Sequence, residues 1–246
     1  MKTKLLLALS LLFMMFATSC NFTENITINE DGSGVMSVEM DGSELMQMAG
    51  EELAKEKQEK IDSTIVFREI FKEYKDSIAA LPEEQRDILR RFEKMEMNML
   101  MDTETREMNI GLKMKFEKAS ELSDMMKSFS DLRKLQGSDS GRTQPDLGFD
   151  NENSRTDYFY DGKKFKKTVV VESVEEKDDS DKKEDMYKDM FASSSYTLNY
   201  KFPEKIKSVS DKRAVVGEDK KTLTLKYSLS DYMDNPEKMS IEVEFE

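Results

Sequence analysis

The chain predicts an α+β fold: an antiparallel β-sheet, curved or partly closed, with amphipathic helices over one face. Three observations carry that reading. About eight short stretches alternate apolar and polar residues with period two, the mark of strands buried on one side. Other segments repeat their apolar residues at three- and four-residue intervals, as along one side of a helix. No internal repeat is evident, which leaves a single sheet-and-helix arrangement rather than a stacked array.

The first hairpin is expected from Phe22, Ile26 and Ile28, then Met36, Val38 and Met40, each alternating with polar neighbours. The intervening Asp31-Gly32-Ser33-Gly34 supplies a turn, because Asp-Gly tolerates positive φ. A helical block follows, with Ser43 as N-cap and Leu45, Met48, Ala49 and Leu53 at helical spacing before the charged run at 55–60. Phe67, Ile70, Phe71, Tyr74 and Ile78 form a second helical stripe, and Pro82 suits the first turn of a helix carrying Ile88, Leu89 and Phe92. The cleanest alternation comes next. Met95, Met97, Met99 and Met101 share one face of a strand, and Met108, Ile110, Leu112, Met114 and Phe116 share one face of its neighbour, with residues 103–106 as the turn.

Ser120 opens a helix with Leu122, Met125, Met126, Phe129 and Leu132 on one side. Residues 136–157 lose all pattern in Gly, Ser, Asp and Asn and read as a flexible linker or loop. A hairpin around Asp161-Gly162, a charged loop at 175–185 and a short helix at 186–191 precede the last strands. Those are marked by Tyr196, Leu198, Tyr200 and Phe202, by Leu223, Leu225, Tyr227 and Leu229, and by Met239, Ile241, Val243 and Phe245. The expected organisation is residues 1–19 as a leader, 20–135 as hairpin, helical block, hairpin and helix, and 136–157 as the linker. Residues 158–246 are a β-rich part completing the same sheet.

Composition removes most active-site chemistry. The chain has no His and no Trp, and its one cysteine is Cys20. Nucleophile systems that need His, His-ligated zinc and Cys₄ clusters are therefore impossible within it, and no internal disulfide can form. A net charge of −13 gives no electrostatic hold on phosphates, so nucleic acid is not expected as a partner, and it opposes docking on anionic headgroups. Carboxylates such as Glu83, Glu84 and Asp87 are abundant, but a solvated helix face produces the same residues, so no enzyme activity, catalytic residue or cofactor is expected. The turn Asn29-Glu30-Asp31-Gly32-Ser33-Gly34 lacks the acidic spacing and distal Glu of a calcium loop.

The methionines admit three readings. Met97, Met99 and Met101 pack as adaptable core residues, since Ile110, Leu112 and Phe116 belong on the same face. They could instead line a surface for an irregular apolar ligand. As soft thioethers they would otherwise select Cu(I).

Lys2 and Lys4 followed by an apolar run at 5–16 and by Ala17-Thr18-Ser19-Cys20 resemble a bacterial lipoprotein signal peptide. Ala17 stands where Leu is usual, a looser form similar to lipoproteins of Bacteroidota. The resemblance implies cleavage before Cys20, lipidation of that cysteine with diacylglycerol and palmitate-type chains, and a membrane-anchored protein of the cell envelope. An outer-membrane protein facing the periplasm is preferred, because Asn21 is not the Asp that retains some lipoproteins at the inner membrane. The apolar run is shorter than the roughly 20 residues that span a bilayer. Asp62-Ser63-Thr64 and Asp76-Ser77-Ile78 look like short O-glycosylation sites of such envelopes.

Two further passages carry a family resemblance. Ile26-Thr27-Ile28-Asn29-Glu30-Asp31-Gly32-Ser33-Gly34 and Tyr200-Lys201-Phe202-Pro203-Glu204-Lys205-Ile206 resemble uncharacterised envelope lipoproteins and, more distantly, the LppM-type lipoproteins. That resemblance implies a β-rich domain beginning soon after the lipidated cysteine and associated with lipid binding. The expected function is thus a non-enzymatic, anchored domain for an apolar or lipid-like ligand. The alternative is a structural lipoprotein that contacts other envelope proteins.

Overall fold

A computed structural model of the protein describes residues 21–44, 46–47, 60–123, 128, 154–171 and 194–246. The expected leader, Cys20, most of the first and fourth expected helices, residues 136–153, the charged loop and the helix at 186–191 lie outside them.

Among the described residues, twelve strands form two sheets. In chain order they are β1 (Asn21–Ile28), β2 (Gly34–Asp41), β3 (Ile61–Val66), β4 (Met95–Asp102), β5 (Glu107–Phe116) and β6 (Ser154–Tyr160). Then follow β7 (Lys164–Val171), β8 (Ser195–Lys201), β9 (Ile206–Val209), β10 (Val215–Val216), β11 (Thr222–Ser228) and β12 (Ile241–Phe245). The larger sheet has the order β10-β11-β8-β1-β2-β5-β4-β3, and the smaller has β6-β7-β12-β9. Neither closes. Four described helices accompany them: α1 (Phe67–Glu73), α2 (Lys75–Ala79), α3 (Glu83–Phe92) and α4 (Leu229–Asp234).

The α+β class and the alternating strands agree with the sequence reading, but the expected single antiparallel sheet does not. The larger sheet is mixed, because β1 runs parallel to β8 while pairing antiparallel with β2. The C-terminal strands divide between the sheets: β8, β10 and β11 join the larger one, and β6, β7, β9 and β12 build the second. Period two reports that one face of a strand is buried, and it is silent on which sheet the strand joins.

Register aligns the apolar side chains of the larger sheet. Leu225, Leu198, Glu24, Val38, Leu112 and Met97 lie opposite one another in successive strands, so they share one face. Against β1 and β8 of that face lies the smaller sheet, where helices were expected. Phe165 of β7 meets the rings of Tyr200 and Phe202 at 5.3 Å, and Phe202 meets Phe245 of β12 at 4.9 Å. Phe67 and Phe71 of α1 add half-buried rings to the same core, and Ile88 and Phe92 of α3 are buried in it. Ile70 and Tyr74, read as part of that helical stripe, are exposed instead.

Turns follow their residues. Gly32 and Gly162 adopt φ of 81° and 82° in the first hairpin and the β6–β7 hairpin. Gly34 starts β2 where a Cβ would collide with the Thr27 carbonyl oxygen and the Phe116 ring, so only glycine fits between β1 and β5. Ser43, expected as the N-cap, lies inside the first helical turn, whose Met46 N–H donates to the Gly42 carbonyl; the Ser43 N–H donates to Asp41 Oδ1 and its Oγ accepts the Met108 N–H.

Several segments differ from expectation: Met239, read as opening the last strand, ends a 3-10 turn at Pro236–Met239, and the stripe from Phe67 to Ile78 is broken at Tyr74 into α1 and α2. β3 was not expected, because Ile61, Ser63 and Ile65 alternate too weakly to mark a strand. β6 starts at Ser154, inside the expected loop, because an edge strand can be polar on both faces at its beginning. Leu229 opens α4 rather than ending β11, with Ser228 Oγ accepting the Asp231 N–H as the cap.

Candidate functional site

The interior face of β1 reads Phe22, Glu24, Ile26 and Ile28, which places a carboxylate among core residues. Glu24 is 1% exposed. Burying a lone carboxylate is prohibitive unless it is paired and hydrogen-bonded. The two sheets supply what it needs. From the smaller sheet, Lys167 Nζ of β7 lies 2.6 Å from Glu24 Oε2, and the Tyr158 hydroxyl of β6 donates to Oε1 at 3.3 Å. From β8, the Tyr196 hydroxyl donates to Oε2 at 2.9 Å and the Tyr200 hydroxyl to Oε1 at 2.6 Å.

Each partner is placed by strand register. Tyr158 and Lys167 are directly opposite in the β6–β7 pair, and Ile241 flanks Lys167 from β12. Tyr196 and Tyr200 lie beside Phe22 and Ile26 in the parallel pair, so their hydroxyls converge on Glu24 between them. The Lys167 ammonium also sits 5.8 Å and 5.7 Å from the Tyr158 and Tyr196 ring centroids, a cation–π arrangement on both sides. Tyr232 of α4 stacks on Tyr196 at 5.0 Å and closes the cluster.

A carboxylate has two oxygens with about four lone-pair directions in all. Four donors fill them. Burial, and then the Glu24 charge, pushes the Tyr158, Tyr196 and Tyr200 hydroxyls well above their usual range, so they remain donors. A saturated, dry carboxylate has no acceptor left for a substrate. The cluster is an inter-sheet clasp: charge and hydrogen bonds fix how one sheet sits on the other.

The residues singled out by the sequence lie elsewhere. Met97, Met99 and Met101 sit on β4, opposite Leu112, Ile110 and Met108 of β5 and Ile65, Ser63 and Ile61 of β3. All three are half-buried, whereas Met36, Met95 and Met114 on the same sheet face are 1–3% exposed. Met95 begins the same strand and is covered, so the opening is confined to the Met97–Met101 stretch of β4 next to the edge strand β3. Ser63 and Ser77 are exposed, on β3 and α2.

Sequence reasoning missed the clasp, although its signal was present. Glu24 and Lys167 both fall on the buried phase of an alternating strand, where a charge is out of place unless it has a partner. Among the described residues no group of three or more Cys, Asp or Glu could hold a metal ion, and no helix is long and apolar enough to cross a membrane.

The fold is thus an open, mixed β-sandwich with short helices and a buried ionic clasp. No protein-family model and no curated protein sequence matches the chain. Among solved structures, the NMR structure of the folded domain of Mycobacterium tuberculosis LppM is similar to it. The TM-score is 0.41 at 9% identity, with 93% of this chain and 90% of that chain covered.

Proposed function

We propose that the protein is a non-enzymatic lipoprotein of the cell envelope, anchored by an acylated Cys20, that holds an apolar or lipid-like ligand against Met97, Met99 and Met101. The outer membrane, facing the periplasm, is the proposed location. One observation carries the ligand reading: the apolar face of the larger sheet is sealed at Met36, Met114 and Met95 but half open at Met97, Met99 and Met101 of β4. Methionine suits that edge, because its flexible thioether side chain adapts to irregular apolar shapes. The anchor reading is supported by the leader pattern and by Asn21, which already pairs with Asp41 and Ser195 one residue beyond Cys20. A lipid on that cysteine would hold the sandwich against the membrane, since two or three acyl chains at about 0.8 kcal/mol per buried CH₂ bind far more firmly than one.

The test is native mass spectrometry of the protein taken gently from its own membranes and trimmed of the acylated end. A stoichiometric additional mass of lipid size supports the carrier. A bare mass favours the alternative, a structural lipoprotein that contacts other envelope proteins. The anchor is tested separately: Cys20→Ser moves the protein from the membrane pellet to the soluble fraction, and retention in the pellet excludes lipidation there as the anchor.

A further inference from the structure

The outward face of β1, β8 and β11 in the larger sheet differs from the charged surface around it. The chain is 36% Asp, Glu, Lys and Arg, and the smaller sheet's outward face follows suit, with Lys164 and Lys166 paired to Glu242. On β1, β8 and β11 the outward positions are instead Ser, Thr and Asn. β1 contributes Thr23, Asn25 and Thr27, β8 contributes Thr197 and Asn199, and β11 contributes Thr224, all half-buried or exposed. No carboxylate stands on these three strands' outward face, and its charges are Lys201 and Lys226.

Asparagine is depleted in strands, so its place at the centre of this face asks for a reason. The side chains there form a connected row. Thr224 Oγ1 donates to Asn199 Oδ1 at 3.0 Å, Asn199 Nδ2 to Asn25 Oδ1 at 3.3 Å, and Asn25 Nδ2 to Ser37 Oγ at 3.2 Å. The row ends at Glu39 of β2, which also accepts from Ser37 at 3.2 Å. Asn25 Nδ2 also reaches Glu39 Oε1 at 3.4 Å, so its two N–H groups are engaged, while Asn199 keeps a second N–H and both amide oxygens keep a second lone pair.

We propose that this strip binds a neutral polysaccharide chain. Charge and hydrogen bonding select that occupant. A protein partner would ask for an apolar centre, and the strip has none. A polyphosphate or acidic polymer would ask for a cation cluster, and the chain's net charge of −13 repels it. An uncharged polyhydroxyl chain meets donors and acceptors along the row and brings no ion of its own to desolvate. Three strands are about 10 Å across and eight residues about 27 Å long, the proportions of one extended glycan chain. The pre-ordered amides lower the entropy lost on binding.

Affinity electrophoresis of the full chain in a non-ionic detergent tests this, in native gels cast with dextran, laminarin or hydroxyethyl cellulose. Retarded mobility is expected in at least one of these, measured against the same protein in a gel without glycan. Asn25→Asp with Asn199→Asp places carboxylates on the strip at nearly unchanged shape and should abolish the retardation. Thr27→Arg with Thr224→Arg blocks it by bulk and should do the same, whereas Thr168→Asp on the smaller sheet should leave it intact. Normal mobility in all three glycans, retardation by dextran sulfate alone, or retardation that both strip variants keep would overturn the proposal.

Discussion

Glu24 and Lys167 show how a single pair can govern a core. Removing one partner from a buried ion pair leaves the other charge unmatched, at a cost of about 3–5 kcal/mol, whereas replacing both by apolar residues is often neutral. Glu24→Gln and Lys167→Met should therefore each lower the urea midpoint strongly, and the double variant Glu24→Leu, Lys167→Met should recover much of the loss. Equal, additive losses would mean that the two groups act independently. The tyrosines allow a sharper contrast. Tyr200 gives its hydroxyl to Glu24 at 2.6 Å, while the Tyr227 hydroxyl is buried with no hydrogen-bond partner among the described residues. Tyr200→Phe should destabilise by about 1.5–3 kcal/mol, the range for a hydrogen bond to a charged group. Tyr227→Phe should be neutral or stabilising, because it deletes an unsatisfied polar atom. Matched unfolding curves decide this, and the reverse order would contradict the assigned roles.

At the scale of elements, the first hairpin is the most constrained part of the larger sheet. Gly34→Ala drives a methyl group into the Thr27 carbonyl and the Phe116 ring, which belong to β1 and β5. Overpacking of this kind typically costs about 1–3 kcal/mol, and amide exchange should rise in β1, β2 and β5 together. Unchanged protection in β5 would show that the hairpin yields alone. Much of this element structure was legible in the chain. Alternation in Met95 to Met101 and Met108 to Phe116 marked β4 and β5, and Asp-Gly marked two turns, because one-sided burial and positive φ leave direct traces in local sequence. The second sheet and the clasp left weaker traces. Strand partnership depends on residues more than a hundred positions apart, and Glu24 and Lys167 are separated by 143. Reading the buried phase of each strand for misplaced charges, rather than for apolar residues alone, would have singled out both.

For the whole molecule, stability should turn on alkaline pH. Unfolded tyrosines ionise near pH 10. Folded Tyr158, Tyr196 and Tyr200 are raised well above that by burial and then by Glu24, and burial pushes Tyr227 up to about 12. Because the folded values are raised, the stabilisation is complete below about pH 10 and is lost as pH rises from there through the folded values. Circular dichroism should stay constant from neutrality to about pH 9 and then fall steeply, with most tyrosinate absorbance appearing together with unfolding. Titration of every tyrosine near pH 10 in an intact fold would refute this. The parallel pairing of β1 with β8 has one more outcome, in the order of assembly. Asn21 bonds Ser195 and Asn25 bonds Asn199, each across 174 residues, so β1 is completed by a strand made long after it. Pairing over such distances is slow, since the loop must close before the contact repays it. An emerging chain can form β1 with β2, but the other edge of β1, a row of unpaired backbone N–H and C=O groups, stays bare until residue 201 has been delivered. Export or synthesis arrested before that point would leave a sticky half-sheet, the form most in need of a chaperone and most exposed to proteases.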